Sequence, residues 1–181
     1  MVQQVAGEQV SSTQAIAQDE IDLHRGISEL LPDLRGFARF LTRDATVADD
    51  LVQDTLVRAL AARTQFQPDT NLKAWLFTIQ RNAFYEQARR NRRETRVMSE
   101  RFPDPDSTAP NATLRAEVSD LQRMLFTLPP LLREALVLVG AQELSYEQAA
   151  AICGVPVGTV KARVSRARSQ LARTLAGHTT P

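Results

Sequence analysis

The last third of the chain carries a run of cationic residues suited to binding DNA. Between Thr159 and Arg173 there are five cationic residues and no acidic one. On a helix that turns about 100° per residue, the small and polar residues of this run fall on the face opposite its aliphatic residues. Cationic side chains follow the edges of that face. A small, polar surface with cations at its edges suits insertion into a DNA major groove.

The residues of this helix divide into three sets. The expected buried face consists of Val160, Val164, Ala167, Leu171 and Leu175; the expected exposed centre consists of Thr159, Ala162, Ser165, Arg166 and Ser169; and Lys161, Arg163 and Arg168 lie on the flanks. The alternative is a solvated cationic face on a purely structural helical hairpin. A merely soluble face usually mixes charge signs, so the absence of acids favours DNA binding.

The segment before this helix has the pattern of a helix-turn-helix. Ser145, followed three residues later by Gln148, predicts a capping box and a helix that starts at the next residue, Tyr146. Gly154 stands where that helix must end with a positive φ. Pro156 prevents its continuation, and the second helix is expected to begin two or three residues later.

A second group of cations follows an aromatic-rich helix. From Arg81 to Arg101 there are seven Arg and three Glu. The spacing of apolar residues predicts that this helix begins after an N-cap at Asn71. Phe84 and Tyr85 lie among the cations, and rings and cations together can bind a single strand through stacking and phosphate neutralisation. Trp75, near the start of the helix, is expected to be a core residue.

The first part of the chain is acidic. Between Met1 and Leu60 there are ten acidic residues and five Arg. Asp49, Asp50, Gln53 and Asp54 share one face of a helix predicted from about Thr46. On physical grounds alone this is a solvated face whose acids are favoured by the helix dipole. An acidic front with two basic segments nevertheless suggests two different partners on different surfaces.

Helical periodicity covers most of the chain, and long strand alternation occurs nowhere. Pro32 predicts a kink or a break between two helices, and Gly140 is predicted to end a short buried helix. Leu51, Leu56, Val57 and Leu60 are predicted as the apolar side of the acidic helix. The sequence therefore predicts an all-α protein with two small helical domains joined by a Pro-containing flexible linker. We expect a disordered tail at 1–19, a first domain at 20–98, a linker at 99–112 and a second domain at 113–177.

Several classes of protein are disfavoured. A single Cys and two His argue against a disulfide and a zinc site, so we expect no metal and no cofactor. No nucleophile–base pair and no Gly-rich phosphate loop is present, which indicates neither an enzyme nor a small-molecule substrate. The N-terminus lacks the pattern of a signal peptide, and no apolar run approaches the ~20 residues of a membrane span. A cytoplasmic protein without membrane contact is expected.

Three segments occur in an order that resembles bacterial RNA polymerase sigma factors. They are ADDLVQDTLVRAL, NLKAWLFTIQRNAFYEQARRNRR and LPPLLREALVLVGAQELSYEQAAAICGVPVGTVKARVSRAR. Over about Leu31 to Leu175 the chain is similar to the small two-domain, extracytoplasmic-function (ECF) group, which keeps only regions 2 and 4. FTIQRNAFYEQARRNRRE and LVGAQELSYEQAAAICG look most like its general-stress branch.

The resemblance implies a dissociable subunit that binds core RNA polymerase, recognises the −35 and −10 elements of promoter DNA and promotes DNA melting. It also implies a soluble anti-sigma factor that holds the protein inactive. The family's roles fall on three sets of residues. They are Asp49, Asp50, Gln53 and Asp54 for core polymerase docking; Phe66, Asn71, Lys73, Arg81, Asn82, Tyr85, Arg89 and Arg90 for the −10 element; and Thr159, Lys161, Arg163, Ser165, Arg166 and Arg168 for the −35 element.

Within the −10 set, Phe66 and Asn82 match positions that form a pocket for a flipped base, whose unstacking costs a few kcal/mol. Two other hypotheses remain open. One is a sigma-like mimic that binds an anti-sigma factor without initiating transcription. The other is a helix-turn-helix repressor with a dimerisation domain in front, which gives the acidic and aromatic helices no role.

Overall fold

The computed structural model describes residues 21–67, 70–101 and 120–177 of the chain. Over these residues the regular structure is entirely helical and contains no strand, so the predicted all-α class is confirmed. The predicted tail at 1–19 and most of the predicted linker at 99–112 lie outside the described residues. Within the described part, no helix is long and apolar enough to cross a membrane.

The chain divides into two compact units, Met1–Pro32 and Asp33–Pro181. The first contains helix α1, residues 21–29, on which Leu23 and Ile27 are buried. A turn at Leu30 separates α1 from α2, so the predicted break near Pro32 is present. Pro32 is the second residue of α2, where an intrahelical N–H donor is not required.

Three helices form what we call the α2–α4 bundle. They are α2 (Leu31–Thr42), α3 (Ala45–Ala61) and α4 (Leu72–Arg101), with a 3₁₀ turn at Arg63–Gln65 between the last two. The N-cap of α3 is Asp44, whose side chain accepts a hydrogen bond from the Val47 N–H at 3.0 Å. Asn71 caps α4 in the same way through the Ala74 N–H at 2.9 Å, which confirms the predicted start of that helix.

The core of this bundle lies where α2 and α3 meet α4. Phe37 stacks on Phe77 with ring centroids 4.9 Å apart, and Leu34 and Leu76 are fully buried beside them. Gln80 is also buried, and its amide Nε2 donates to the Leu34 carbonyl at 2.9 Å. This bond fixes α4 against α2 because the amide has left water and needs a protein partner.

The predicted apolar side of α3 was partly wrong. Val57 and Leu60 are 66% and 37% exposed. The residues that face α4 are instead mostly small: Ala48, Leu51, Val52, Thr55 and Ala59. Small side chains let the two helices approach closely, so this stripe is the buried one and Val57 is left on the solvent side.

Four helices form what we call the α5–α8 bundle. They are α5 (Asp120–Thr127), α6 (Pro130–Leu136), α7 (Tyr146–Cys153) and α8 (Val157–Gly177), with a π-helical turn at Val137–Ala141 after α6. Helices α6 and α7 both pack against α8. Leu138, Ile152, Val160 and Val164 are among the buried residues of this bundle.

Gly140 does not end the helix that contains it, so that prediction was wrong. The helix widens into the π turn and continues through Gly140 to Ala141, where the Gln142 N–H donates to the Val137 carbonyl at 2.9 Å. The wide turn keeps the carbonyl groups hydrogen-bonded, and the left-handed residue is Glu143 instead, with φ 56°. No glycine is therefore required at position 140.

The predicted helix-turn-helix is present. Ser145 and Gln148 form both hydrogen bonds of the capping box, and Gly154 adopts φ 64° at the end of α7. Helix α8 begins at Val157, slightly earlier than predicted, because the Pro156 carbonyl already accepts the Thr159 N–H at 2.9 Å. Leu175, expected on the buried face, is 53% exposed near the end of α8.

Candidate promoter and polymerase interfaces

The exposed face of α8 carries most of the residues predicted for the −35 element. Val160, Val164 and Ala167 are buried, which turns the opposite face of the helix to solvent. Lys161, Ala162, Ser165, Arg166, Arg168 and Ser169 are exposed, and Thr159 is half-buried at the start of the helix. The structure thus brings together one small, uncharged strip with cations beside it.

Arg163 differs from its neighbours in the −35 set. Its side chain is half-buried, and its Nη1 is enclosed without a hydrogen-bond partner. Its positive charge acts on the buried Cys153 thiol at the end of α7. Arg163 therefore faces the helix-turn-helix core more than its predicted flank position implies.

The first turns of α4 hold the first members of the −10 set. The Phe66 ring lies 5.1 Å from the Trp75 ring at an angle of 46°. Asn71 is occupied as the N-cap, and the Lys73 ammonium pairs with Asp33 at 2.9 Å. Asn82 is exposed about three turns after Asn71 along α4. The ring that Phe66 contacts is that of Trp75.

Trp75 is half-buried, although it was predicted to be a core residue. Phe77, by contrast, is fully buried. The partly exposed indole beside Phe66 creates a two-ring surface at the start of α4. Sequence reasoning missed this surface because helical spacing alone placed Trp75 in the apolar stripe.

The middle of α4 is engaged with the α5–α8 bundle. The Arg81 guanidinium donates to both carboxylate oxygens of Glu134, at 2.8 and 3.4 Å, and its plane stacks on the Tyr85 ring at 4.6 Å. Burial alone would lower the pKa of Arg81, but the hydrogen bond and charge of Glu134 raise it. Burial, and then the Glu134 charge, raise the pKa of the Tyr85 hydroxyl.

Arg89 and Arg90 are exposed further along α4. Arg89 also lines a cavity of about 230 Å³ between α2, α4 and α6. The floor of this cavity is apolar and aromatic, and its other lining residues include Phe40, Phe84 and Arg133. The predicted −10 set is thus split between exposed cations further along α4, at Arg89 and Arg90, and cations in ion pairs, at Lys73 and Arg81.

The predicted docking face of α3 is fully open to solvent. Asp49, Asp50, Gln53 and Asp54 are all exposed, and the exposed Val57 lies one turn after them. Asp54 accepts from the Arg58 Nε at 3.0 Å, and Arg58 also binds Glu86 of α4 at 2.6 Å. Hydrogen bonds to Glu86 and then to Asp54 raise the pKa of Arg58.

Two residues with evident roles were not found from the sequence. Glu134 is one acid within a short apolar helix, and only the fold reveals that it is 1% exposed against Arg81. Arg58 joins Asp54 to Glu86, a residue 28 positions away in the chain. The only sequence signal for Arg58 is its i,i+4 spacing from Asp54, which is typical of any surface helix.

Among the described residues, no three side chains of His, Cys, Asp or Glu come together in a way that could hold a metal ion.

Comparison with known sequences places both bundles in one family. The sequence pattern of sigma-70 region 2 matches residues 27–94, and that of sigma-70 region 4 matches residues 119–171. The ECF RNA polymerase sigma factor EcfG of Rhodopseudomonas palustris is 48% identical over 153 residues, which cover 84% of each chain. SigE of Mycolicibacterium smegmatis, also an ECF RNA polymerase sigma factor, is 37% identical over 72% of this chain and 52% of its own.

Solved structures agree with this relationship. The sigma factor RpoE of Bartonella quintana, crystallised with the anti-sigma factor NepR, superposes with a TM-score of 0.72 at 43% identity. The alignment covers 86% of this chain and 97% of that one. CnrH in complex with the cytosolic domain of CnrY gives a TM-score of 0.65 at 29% identity, covering 91% of this chain and 94% of that one. The chain belongs to the sigma-70 family of RNA polymerase sigma factors, within its extracytoplasmic-function group.

Proposed function

We propose that this sigma factor binds core RNA polymerase through α3, reads the −35 element with α8 and holds the −10 element as a single strand along α4. The observation that carries the proposal is the exposed face of α8, which presents cations around small residues on a capped helix-turn-helix. Duplex reading needs such a helix in the major groove. The surfaces of α3 and α4 supply the polymerase and −10 contacts that initiation also requires.

Lys161, Ser165, Arg166 and Arg168 are the −35 contacts best supported by exposure. The small Ala162 and Ser169 allow the helix backbone to approach the groove, and the long cations reach base edges and phosphates. Thr159 lies at the N-terminus of α8, where backbone N–H groups favour a phosphate. Arg163 contributes less directly, since part of its guanidinium is enclosed.

For the −10 element, the flipped base is proposed to bind near Phe66 and Asn82, with Trp75 beside Phe66 as a second ring. Asn71 and Lys73 lie at the same end of α4 as Trp75, and Asn82 lies further along the helix. Arg89 and Arg90 would neutralise the backbone of the strand further along α4. Rings supply stacking that is insensitive to sequence, and cations supply the salt-dependent attraction that a melted strand needs.

For polymerase docking, Asp49, Asp50, Gln53 and Asp54 form the contact, with the exposed Val57 as its apolar anchor. Arg58 positions the Asp54 carboxylate through their 3.0 Å hydrogen bond. A polar surface that includes an exposed apolar side chain is suited to a specific protein interface. The protein acts without catalytic chemistry of its own, in the cytoplasm, where promoters and polymerase are found.

Regulation by a soluble anti-sigma factor is proposed from the likeness to a sigma factor that was crystallised with one. A role in the general stress response is proposed from the 48% identity to EcfG together with the sequence phrases of that branch. The regulator is a separate protein in this proposal.

The test is run-off transcription from a stress-type promoter with purified core polymerase. Lys161→Glu with Arg166→Glu should abolish the promoter-specific transcript while core binding is retained. Asp50→Arg with Asp54→Arg should abolish core binding while the circular dichroism spectrum is unchanged. Arg25→Glu with Arg35→Glu makes the same charge change as Lys161→Glu with Arg166→Glu, on exposed residues outside the three surfaces, and it should leave both activities intact.

Absence of any promoter-specific transcript from the wild-type protein would contradict the proposal. A protein that binds an anti-sigma factor but not core polymerase would instead be the sigma-like mimic. Specific duplex binding without core polymerase, as a dimer, would indicate a helix-turn-helix repressor.

A further inference from the structure

We propose that Tyr146 is a positioning residue for promoter recognition: its ring holds the Lys161 ammonium at the exposed face of α8, where the ammonium reads a base edge of the −35 element. Tyr146 is the first residue of α7 and belongs to none of the three sets of binding residues named above. The inference rests on the proposed −35 surface of α8. It adds a residue of the preceding helix that acts through Lys161 and not by touching DNA.

The contact joins the two helices of the helix-turn-helix. The Lys161 Nζ lies over the Tyr146 ring, 5.7 Å from the ring centroid. A cation at this distance from an aromatic face is attracted by the electron-rich ring. Lys161 is exposed, whereas Tyr146 is half-buried. The ring is therefore the more fixed of the two groups, and it limits where the ammonium lies.

Both backbones that carry this contact are anchored. Just before Tyr146, the Ser145 hydroxyl accepts from the Gln148 N–H at 3.1 Å, and the Gln148 side chain accepts from the Ser145 N–H at 2.8 Å. On α8, Val160 and Val164 are buried on either side of Lys161 in the sequence, which fixes the rotation of that helix. The ring and the ammonium are thus brought together from two fixed starting points.

Holding the ammonium in advance favours a specific contact. A lysine side chain has a flexible stem of four carbons, and it loses much of its freedom when the ammonium binds at one place. The attraction of the Tyr146 ring restricts Lys161 before DNA arrives, so less freedom is lost on binding. An ammonium with a set position also distinguishes one base edge from its neighbours better than a mobile one.

A neighbouring acid makes a base edge a better partner for Lys161 than a phosphate. Glu147 follows Tyr146 and is exposed. Hydrogen bonds from its own backbone N–H and from the Ser145 hydroxyl lower the pKa of the Glu147 carboxyl, and the Lys161 charge lowers it further. The carboxylate charge opposes a second anion beside Lys161. A guanine edge offers the uncharged acceptors N7 and O6, which do not meet this repulsion.

A double-mutant cycle on the holoenzyme, bound to a duplex stress-type promoter and followed by fluorescence anisotropy, tests the positioning role. Tyr146→Leu removes the ring but keeps an apolar side chain, and it should weaken binding about three- to fivefold, as expected for loss of an exposed cation–ring contact. In the Lys161→Met background the same change should have no effect, because the ammonium is already absent. Tyr146→Phe keeps the ring and is the matched control, which should bind like the wild type.

A second duplex, with a scrambled −35 element, tests the base-edge role. Base contacts carry the sequence information, whereas phosphate contacts act on every sequence alike. Tyr146→Leu should therefore bind the scrambled duplex as tightly as the wild type does. Equal weakening on both duplexes would make Lys161 a phosphate contact and would contradict the base-edge role.

The scarcity of lysine gives a readout that does not depend on DNA, since the sequence contains only Lys73 and Lys161. In nuclear magnetic resonance spectra of the free, full-length protein with isotopically labelled lysine, the ring current of Tyr146 should shift the Lys161 ε-methylene signal upfield. Lys161→Met assigns this signal by removing it. Tyr146→Leu should abolish the shift and Tyr146→Phe should keep it. Lys73, whose Nζ lies 5.8 Å from the Phe77 ring, is the internal control and should not move.

The outcomes separate this inference from the proposed function. If Lys161→Met binds the promoter as tightly as the wild type, Lys161 is not a −35 contact, and the proposed role of Lys161 and its positioning by Tyr146 both fail. If Lys161→Met binds weakly but Tyr146→Leu does not, only the positioning role fails.

Two other results also contradict the positioning role. Equal weakening by Tyr146→Leu in both backgrounds would show an effect on the fold and not on Lys161. Weakening by Tyr146→Phe as large as that by Tyr146→Leu would show that the hydroxyl contacts DNA directly. Should Tyr146→Leu fail to fold, an unshifted Lys161 signal in the wild-type protein is enough to overturn the proposal.

Discussion

At the scale of a single residue, the fold controls the reactivity of the Cys153 thiol. Its thiol is enclosed at the end of α7 beside Glu134, and burial, followed by the Glu134 charge, raises its pKa from 9.0 to about 11. The reactive form of a thiol is the thiolate. Cys153 is therefore a packing residue that the fold keeps protonated.

We expect Cys153 in the native protein to react with iodoacetamide at pH 8 at least about 100-fold more slowly than in urea-unfolded protein, because a rise of two pKa units lowers the thiolate fraction by that factor. Mass spectrometry of the timed reaction measures this. The raised pKa also means that the unfolded state loses the proton more readily. Its stabilising effect is complete below about pH 9 and is lost as the pH rises toward about 11. Equal rates in the two states would show an open thiol.

Helix ends decide the geometry at the scale of elements, because α7 and α8 must meet at a fixed angle to present the −35 face. Gly154 occupies the turn with φ 64°, a conformation that side chains disfavour. Gly158 lies in the first turn of α8 without a positive φ, and nothing lies within 4 Å of a Cβ built there. The left-handed backbone at position 154 therefore favours glycine, whereas position 158 can accept a larger residue.

Gly154→Ala should lower the free energy of unfolding by about 1–2 kcal/mol, the cost of left-handed backbone with a Cβ. Gly158→Ala should leave it unchanged or raise it by about 0.5–1 kcal/mol, as expected inside a helix. Urea titration followed by circular dichroism compares the two proteins. Equal destabilisation by both changes would mean that Gly154 does not hold the turn.

The capping box gives a second test of the same element. Ser145→Ala removes the 3.1 Å bond from the Gln148 N–H and leaves that donor exposed at the start of α7. The free energy of unfolding should fall by about 1 kcal/mol. Ser169→Ala on exposed α8 is the control for this titration and should change it by less than half as much.

Charge is distributed unevenly over the whole molecule, although the formal net charge is only +1. Cations are concentrated on α4 and α8 and acids on the exposed face of α3, although Arg90 of α4 lines one groove together with Asp50 and Asp54. Binding to DNA through phosphates releases counterions, which makes affinity fall steeply with salt. The net charge of +1 alone does not predict this salt dependence.

Arg168→Gln should reduce the slope of log affinity against log salt by about 1 for the holoenzyme on a duplex promoter, as expected for one lost phosphate contact. Arg25→Gln makes the same charge change in α1 and should leave the slope as in the wild type. Fluorescence anisotropy at several salt concentrations measures both. An unchanged slope for Arg168→Gln would remove Arg168 from the proposed −35 contact.

The sequence by itself determined the family, the helical class, the break before α2, the cap at Asn71 and the turn at Gly154. These features depend on neighbours a few positions away: capping side chains, a proline, a glycine and helical periodicity. Local sequence patterns gave wrong predictions at two places. At Val57, packing decides which of two apolar stripes of α3 is buried. At Gly140, a π turn keeps the carbonyls hydrogen-bonded without needing a glycine.

Only the tertiary structure decided which predicted DNA contacts are free. Arg81 and Arg166 look alike in sequence, yet Arg81 is paired with a buried carboxylate 53 positions away and Arg166 is exposed. Arg133 and Glu134 are adjacent in the chain and both buried, but Glu134 is paired with Arg81 and Arg133 has one guanidinium nitrogen without a hydrogen-bond partner. Electrostatic interactions and burial depend on distances in the folded chain, so the role of each of these residues is set by its neighbours in the fold.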